Sequence, residues 1–265
     1  MNKQGRVVLA IRAIAVIAVL AAALEVRDIV EWLGGHVPDP PFGYGRSFMD
    51  NLMAVVLALL AAWCLRPRTA GRLHAHLGLA APGWRAPLCV LLATLPNWIG
   101  LAYLGQWPND LDLEGLFFKA LLYPLAEELV YRGFGFVFAR TALGWRLGYA
   151  VLVQAFFFGA IHWLGLRGEE VAGQVFAITC LGGIVFAVLD AMNRYTIWCG
   201  LALHASLNAA WSFYDVAPTA ATGWEGNALR LGSAALALLL VWWVEGRWHR
   251  RTDDGVRHTR RREIL

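Results

Sequence analysis

Eight long apolar segments occupy most of this 265-residue chain. Each has about 20 residues, enough for an α-helix to cross a hydrocarbon core about 30 Å thick. The segments run from Val7 to Val26, Phe48 to Leu65, Ala86 to Leu104, Gly115 to Phe138, Leu147 to Leu166, Val171 to Leu189, Tyr195 to Phe213, and Ala228 to Val244. The pattern predicts an all-α, polytopic membrane bundle of about eight transmembrane helices, forming one domain over residues 1–265.

The composition excludes the main alternatives to a membrane protein. Hydrophobic residues make up 58% of the chain, compared with about 45–50% in soluble domains. Charged residues make up 16%, compared with about 25% in soluble domains. A water-soluble globule and a disordered chain are therefore both disfavoured. The four cysteines lie singly in apolar stretches without CxxC spacing, so we interpret them as reduced packing residues (Cys64, Cys89, Cys180 and Cys199).

The basic residues follow the topology expected of a membrane protein. They precede the first segment, follow every even-numbered segment and fill the tail (Lys3, Arg6, Arg66, Arg68, Arg72, Arg85, Arg140, Arg146, Arg194 and residues 247–262). The opposite connections are acidic. By the positive-inside rule, both termini are predicted to be cytoplasmic. The positive-inside topology thus explains the net charge of +4. We interpret the basic residues of the tail 247–265 as contacts with anionic lipid. We therefore expect no nucleic-acid partner.

Three regions outside the central spans allow specific expectations. The basic start, the apolar run and the alanines at 21–23 resemble a cleavable signal, but Arg12 interrupts the run and favours a retained helix. The connection 66–85 suits either a short interfacial helix or a solvated basic loop. The stretch 34–46, rich in proline and glycine, predicts an irregular loop.

A few polar residues lie inside the predicted spans. An ionisable residue there costs about 2.5–3.5 kcal/mol on insertion scales, so each needs a partner or a task. These residues lie on three of the predicted spans. The fourth span contains Glu127, Glu128 and Arg132, and the seventh contains His204 and Asn208. The fifth span contains His162, with the aromatic Phe158 as its neighbour one turn earlier.

Helical spacing predicts different tasks for the two glutamates. Glu128 and Arg132 are four residues apart on one face and can form a supporting ion pair. Glu127 lies about 100° around the helix from its neighbour, so its carboxylate is predicted to face a polar cavity. There it is a candidate general base.

The polar groups allow two hydrolytic chemistries. In the first, Glu127 activates water with help from His162, while His204 and Asn208 polarise the carbonyl and hold the developing oxyanion. In the second, Glu127, His162 and His204 bind a divalent metal such as zinc, which binds the water.

Other functions remain open at this point. Membrane histidines and asparagines also serve as interhelical hydrogen-bond partners, and a transporter or proton relay uses the same residue types. Inverted halves are not visible, which counts against a transporter. The chain lacks Walker, GxGxxG, HExxH and GxSxG motifs, which disfavours nucleotide chemistry, soluble zinc proteases and serine hydrolases.

Depth along the spans gives a partial check. Counted at 1.5 Å per residue from the predicted cytoplasmic ends, Glu127 lies at about 16 Å and His204 at about 14 Å. His162 lies at about 22 Å by the same count, which would misalign it. A later helix start, a tilt or an inaccurate boundary would each remove the difference.

The three motifs resemble those of the CPBP intramembrane protease family, which includes the type II CAAX prenyl endopeptidases. The matching residues are Glu127-Glu128-x-x-x-Arg132, then Phe158-x-x-x-His162, then His204-x-x-x-Asn208, in order, within about residues 113–213. The resemblance implies eight membrane helices around a water-accessible cavity. It also implies that Glu127 activates water, His162 supports it, and His204 and Asn208 stabilise the oxyanion.

The resemblance further implies a membrane-associated peptide or protein as substrate. Both a glutamic and a metal-dependent mechanism have been argued for the family, and Asn208, a poor zinc ligand, favours the metal-free one. Composition leans towards a bacterial protein, which would place it in the plasma or inner membrane. Some relatives are linked to bacteriocin immunity, so a non-catalytic immunity or scaffold protein remains the third hypothesis.

Overall fold

The computed structural model describes residues 3–67, 71–81, 83–108, 110–214 and 223–262, and these ranges contain helices but no strand. The predicted all-α class is confirmed. The elements are α1 (Lys3–Leu24), α2 (Val26–Trp32), α3 (Gly45–Leu65), α4 (Leu73–His76), α5 (Arg85–Ala93), α6 (Leu95–Leu104), α7 (Leu113–Leu116), π1 (Phe117–Leu122), α8 (Tyr123–Glu127), π2 (Glu128–Phe138), α9 (Ala139–Thr141), α10 (Leu147–Gly165), α11 (Ala172–Met192), α12 (Trp198–Tyr214) and α13 (Trp224–Arg262).

Six stretches of helix in the described part of the chain are long and apolar enough to cross a membrane. They are Val7–Leu24, Gly45–Leu65, Arg85–Leu104, Leu147–Gly165, Ala172–Met192 and Trp224–Gly246. Large apolar side chains such as Trp63, Tyr103 and Trp242 are exposed on these helices, as expected for surfaces that face lipid. The chain is an integral multi-pass membrane protein.

The two other predicted spans carry two of the three polar motifs. One is the helical run 113–141, which contains more charged residues than an ordinary span, and the other is α12, which is 17 residues long. The total of eight spans and the cytoplasmic position of both termini stay predictions.

The run 113–141 is helical throughout but irregular. Two π-helical segments, π1 and π2, flank the short α8. Pro124 lies in the first turn of α8 and has no N–H to donate to the preceding turn, which favours a change of hydrogen-bond register there. π-Helical turns are rare and are found frequently at functional sites. Here the junction between α8 and π2 falls between Glu127 and Glu128.

The connection 66–85 packs against the protein. Its described residues include only the four-residue α4, and Leu77 just after it is buried. The Gly78 carbonyl accepts a hydrogen bond from Ile197 N (3.1 Å), and the Ala80 carbonyl accepts one from Trp198 Nε1 (2.8 Å). The described part therefore contains a short helix and is not a freely solvated loop, and the position of α4 at the membrane interface stays a prediction. The stretch 35–44 has no helix, which confirms the predicted irregular loop.

Small residues bring α10 and α11 into close contact at the centre of the bundle. A Cβ atom added at Gly183 would lie 3.1 Å from Ala155 Cα, and one at Gly159 would lie 3.0 Å from the Phe176 carbonyl oxygen. Gln154 Nε2 donates to the Gly183 carbonyl at 2.9 Å. Such close packing is typical of membrane helices, where no hydrophobic effect drives the helices together. It fixes the two helices that form one side of the site.

Candidate active site

One cavity collects the four residues predicted to be catalytic. Its volume is about 460 Å³, and its wall includes Glu127, His162, His204 and Asn208. These side chains come from the junction of α8 and π2, from α10 and from α12. α11 and α13 close the remaining sides, mainly with apolar residues.

His204 lies between the two glutamates. Its Nδ1 is 3.0 Å from Glu128 Oε1, and its Nε2 is 3.6 Å from Glu127 Oε2. Because an ionised carboxylate only accepts, Nδ1–H is the donor in the shorter contact. The imidazole stacks on Phe186 with centroids 5.1 Å apart and meets the edge of Phe158 at 5.8 Å. The ring is therefore fixed in orientation.

Glu128 and Arg132 form a fully buried ion pair. Glu128 Oε2 is 3.4 Å from Arg132 Nε, and both side chains have no exposed surface. The guanidinium also lies over two aromatic faces, with Cζ 4.0 Å from the centroid of Phe158 and 4.7 Å from that of Phe186. The rings and the carboxylate together compensate a cation that would otherwise be very costly inside the bundle.

Glu127 differs from Glu128 in its access to open space. Its side chain is 21% exposed, and it lines a second cavity of about 240 Å³ as well as the large one. Two adjacent glutamates therefore have different surroundings. Glu128 is enclosed by its partners, whereas Glu127 presents a carboxylate to a space that a substrate or water can enter.

His162 is oriented by its own helix. Its Nδ1 donates to the Phe158 carbonyl at 2.8 Å, and its ring meets Phe158 edge-on at 4.7 Å. This hydrogen bond fixes the tautomer and leaves Nε2 as an acceptor. As a member of the wall shared with Glu127, the imidazole can receive a hydrogen bond from water in the cavity.

Asn208 is held by the irregular part of the run 113–141. Its Nδ2 donates to the carbonyl of Lys119 in π1 at 3.2 Å. One amide hydrogen is thereby used, and the second is available for another acceptor. Ser206 on the same helix lies 2.7 Å from Thr94 Oγ1 and accepts from Trp98 Nε1 at 3.0 Å, which fixes α12 against α5 and α6.

Sequence reasoning missed two charged residues at this site. Asp190 is fully buried, and its Oδ1 accepts a hydrogen bond from Gly200 N at 2.8 Å. It lies just beyond the predicted end of the sixth span, where an aspartate is easily interpreted as a boundary residue. Arg230 lines the large cavity from α13, with its guanidinium 4.1 Å from the centroid of Trp211. Because Arg230 lies inside the eighth predicted span, its charge could have marked it as a candidate site residue.

Gly200 is a close contact between α12 and the buried carboxylates. A Cβ atom there would lie 2.9 Å from Asp190 Oδ2 and 3.0 Å from Glu128 Oε2. We therefore expect Gly200→Ala to destabilise the fold by about 1–3 kcal/mol, the usual cost of overpacking. Thermal unfolding in detergent measures the effect. The control is Gly148→Ala, where the new methyl meets nothing within 4 Å. Equal unfolding temperatures for the two variants would contradict this account.

The residues do not form a ready metal site. Among the residues that the structure describes, no group of three or more His, Cys, Asp or Glu side chains is arranged to hold a metal ion. Both nitrogens of His204 face carboxylates, and Nδ1 of His162 bonds to a backbone carbonyl. Glu127, His162 and His204 share a cavity without converging as three ligands on one point.

Comparison with known proteins gives one match. The family model for the Rce1-like type II CAAX prenyl endopeptidases matches residues 110–210. No curated protein and no solved structure matches the chain significantly. The matched stretch includes all seven residues of the three motifs, in agreement with the resemblance that they carry. Residues 110–210 of this multi-pass membrane protein are therefore similar to the Rce1-like, type II CAAX prenyl endopeptidase family.

Proposed function

We propose that the protein is an intramembrane endopeptidase in which Glu127 activates water for hydrolysis of a peptide bond. The observation that carries the proposal is the shared cavity, which Glu127, His162, His204 and Asn208 all line. A carboxylate, two imidazoles and a carboxamide are sufficient for general-base attack and oxyanion stabilisation. The family is one of CAAX-type endopeptidases, which supports the same reaction class.

In the proposed reaction, Glu127 and His162 Nε2 accept hydrogen bonds from the attacking water. As the water oxygen bonds to the carbonyl carbon, one proton moves to the Glu127 carboxylate. The carbonyl oxygen becomes an oxyanion, which accepts hydrogen bonds from the amide of Asn208 and from His204 Nε2–H. Because Glu128 accepts from Nδ1–H, His204 acts here as an imidazolium with a proton on each ring nitrogen. Glu127 then gives its proton to the leaving amine as the C–N bond breaks. Water is thereby divided between the two products.

Glu128 and Arg132 act through His204 in this proposal. The Nδ1 contact with Glu128 holds the imidazole so that Nε2 points towards Glu127 and the cavity. Arg132 and the ring of Phe158 keep the Glu128 carboxylate in place. These three residues therefore support the site without touching the substrate.

The large cavity suits an apolar peptide segment. Its wall is mostly apolar beyond the polar end at Glu127, and it lies within the membrane bundle. A membrane-associated peptide or protein is the proposed substrate. Because α13 closes the cavity with Leu231 and Ala234, from outside the matched residues, we propose that the whole chain works as a single domain, 1–265.

The reaction can be tested in reconstituted vesicles. We expect the protein to cleave single-span peptides embedded in the same bilayer and, in ¹⁸O-labelled water, to place ¹⁸O in the new carboxyl terminus. Mass spectrometry of the products reads both results. Matched vesicles containing Glu127→Gln are the control. No products across a broad set of membrane peptides would overturn the proposal, whereas cleavage lost on chelation and restored by zinc would replace its metal-free mechanism.

A proton relay is the second candidate, because Glu127 lies in the walls of two cavities. It predicts proton flux in the same vesicles that depends on Glu127 and His162, without peptide products. A pH-sensitive dye inside the vesicles measures this flux. A non-catalytic immunity or scaffold protein would instead keep its biological effect when Glu127, His162 and His204 are all replaced.

A further inference from the structure

The second cavity has a different chemical character from the first. It is enclosed by the junction of α1 and α2, by α3 and by the start of π2, and its volume is about 240 Å³. Charged and polar side chains form much of its wall, among them Glu25, Arg27, Asp50 and Asn51. Glu127 and Tyr131 belong to the same wall. A polar cavity of this size has room for several waters, each of which occupies about 30 Å³ in the liquid.

Glu127 is in contact with both cavities. It lines the mostly apolar cavity together with His204, and the polar cavity together with Tyr131. Ile161 of α10 also belongs to both walls. Glu127 is thus placed between the two spaces.

Hydrolysis inside a membrane bundle requires water at the carboxylate while a peptide is bound. A peptide that fills the apolar cavity excludes water from that side. We propose that the two reactants arrive separately: the peptide occupies the large apolar cavity, and water reaches Glu127 through the small polar cavity. This inference rests on the proposed function and adds the route of the second substrate, water.

One side of the polar cavity is held by a buried arginine. Arg27 donates from Nε to Asp50 Oδ1 at 2.6 Å, and its Nη2 lies 2.9 Å from Asp39 Oδ1. Its Nη1 donates to the Val37 carbonyl at 3.3 Å. α2, α3 and the loop between them are tied together by one side chain. The polar cavity is therefore bordered by a fixed framework with charged groups that retain water.

The first test narrows the polar cavity. Ala54 of α3 is half-buried and lines this cavity but not the large one. We expect Ala54→Leu to lower kcat at least about tenfold with KM nearly unchanged, because the peptide contacts are kept and the supply of water is reduced. Ala54→Ser, which keeps the volume, is the control and should retain kcat. An unchanged kcat in Ala54→Leu would overturn the inference.

A leucine introduced into the large cavity should change KM rather than kcat. Gly182 lines the large cavity, and the nearest atom to an added Cβ is Phe186 Cζ at 3.9 Å. We expect Gly182→Leu to raise KM by occupying the space of the peptide. If Ala54→Leu also acted on KM alone, the small cavity would be part of the peptide site and the inference would be wrong.

Thiol labelling provides a readout that does not require turnover. In a background with Ser in place of the four native cysteines and with Glu127→Gln, Ala54→Cys should react with a small charged thiol reagent. A saturating amount of the peptide that the wild type cleaves should not slow this reaction, whereas it should protect Thr179→Cys in the large cavity. Equal protection of both positions, or no labelling of Ala54→Cys, would overturn the separate route.

The outcomes distinguish this inference from the function on which it rests. If Glu127→Gln abolishes cleavage while Ala54→Leu retains kcat and Ala54→Cys is protected by peptide, only the water route is wrong. If the wild type releases no product from any membrane peptide, the proposed function is wrong and the water route is wrong with it.

Discussion

Replacing Glu127 by glutamine is expected to lower kcat by about 10²–10⁴-fold, the usual contribution of a general base. The amide keeps the shape of the side chain but cannot accept the proton of the attacking water. KM should change little, because the apolar wall that would hold the peptide is untouched. Single-turnover cleavage of a membrane peptide in vesicles measures the loss.

The structure provides a control for folding in this experiment. Glu127 is partly exposed and lies 3.6 Å from His204, so the substitution removes no buried hydrogen bond. We expect the unfolding temperature of Glu127→Gln to match that of the wild type. Undiminished cleavage in a folded Glu127→Gln protein would remove Glu127 from the mechanism.

Replacing Glu128 by alanine should instead damage the fold. The change leaves Arg132 buried without its carboxylate and removes the acceptor for His204 Nδ1. Breaking a buried ion pair by removing one partner typically costs about 3–5 kcal/mol. We therefore expect a strongly reduced folded yield in detergent and a low unfolding temperature. The loss of activity should be at least as large as the loss of folded protein.

A double variant separates charge from packing at this pair. Removing both partners of a buried ion pair costs much less than removing one, so Glu128→Gln combined with Arg132→Met should be more stable than Glu128→Ala. Glu128→Gln alone should lose both stability and activity. If Glu128→Gln were well folded and fully active, the pair would have no supporting role.

The fold was largely predictable because membrane helices depend on length and apolarity. The break in the third predicted span shows the limit of that reasoning. α5 ends at Ala93 and α6 begins at Leu95, near Pro96, which cannot donate to the preceding turn. Hydropathy averages over such a break. The π-helical turns in 113–141 were not predicted either, since Pro124 indicates an interruption of the helix but not which hydrogen-bond register replaces it.

The site was predictable as a set of residues but not as a set of contacts. Residue counting placed His162 deeper than Glu127 and His204, yet all three line one cavity, and α10 begins at Leu147 as assumed. Part of the difference lies in the side chain, because helical side chains tilt towards the N-terminus and the His162 ring bonds back to the Phe158 carbonyl. The position of His204 between two glutamates depends on how three helices pack, which periodicity along one helix does not contain.

α13 has a consequence for how such a protein can diversify. It contributes Arg230, Leu231 and Ala234 to the wall of the large cavity, yet it lies outside the stretch that resembles the family. Under the proposed function, the residues that break the bond and one part of the wall that contacts the peptide are thus encoded in separate parts of the chain. Substitutions along α13 would then change the choice of peptide without altering a reacting group, so specificity and chemistry could vary independently.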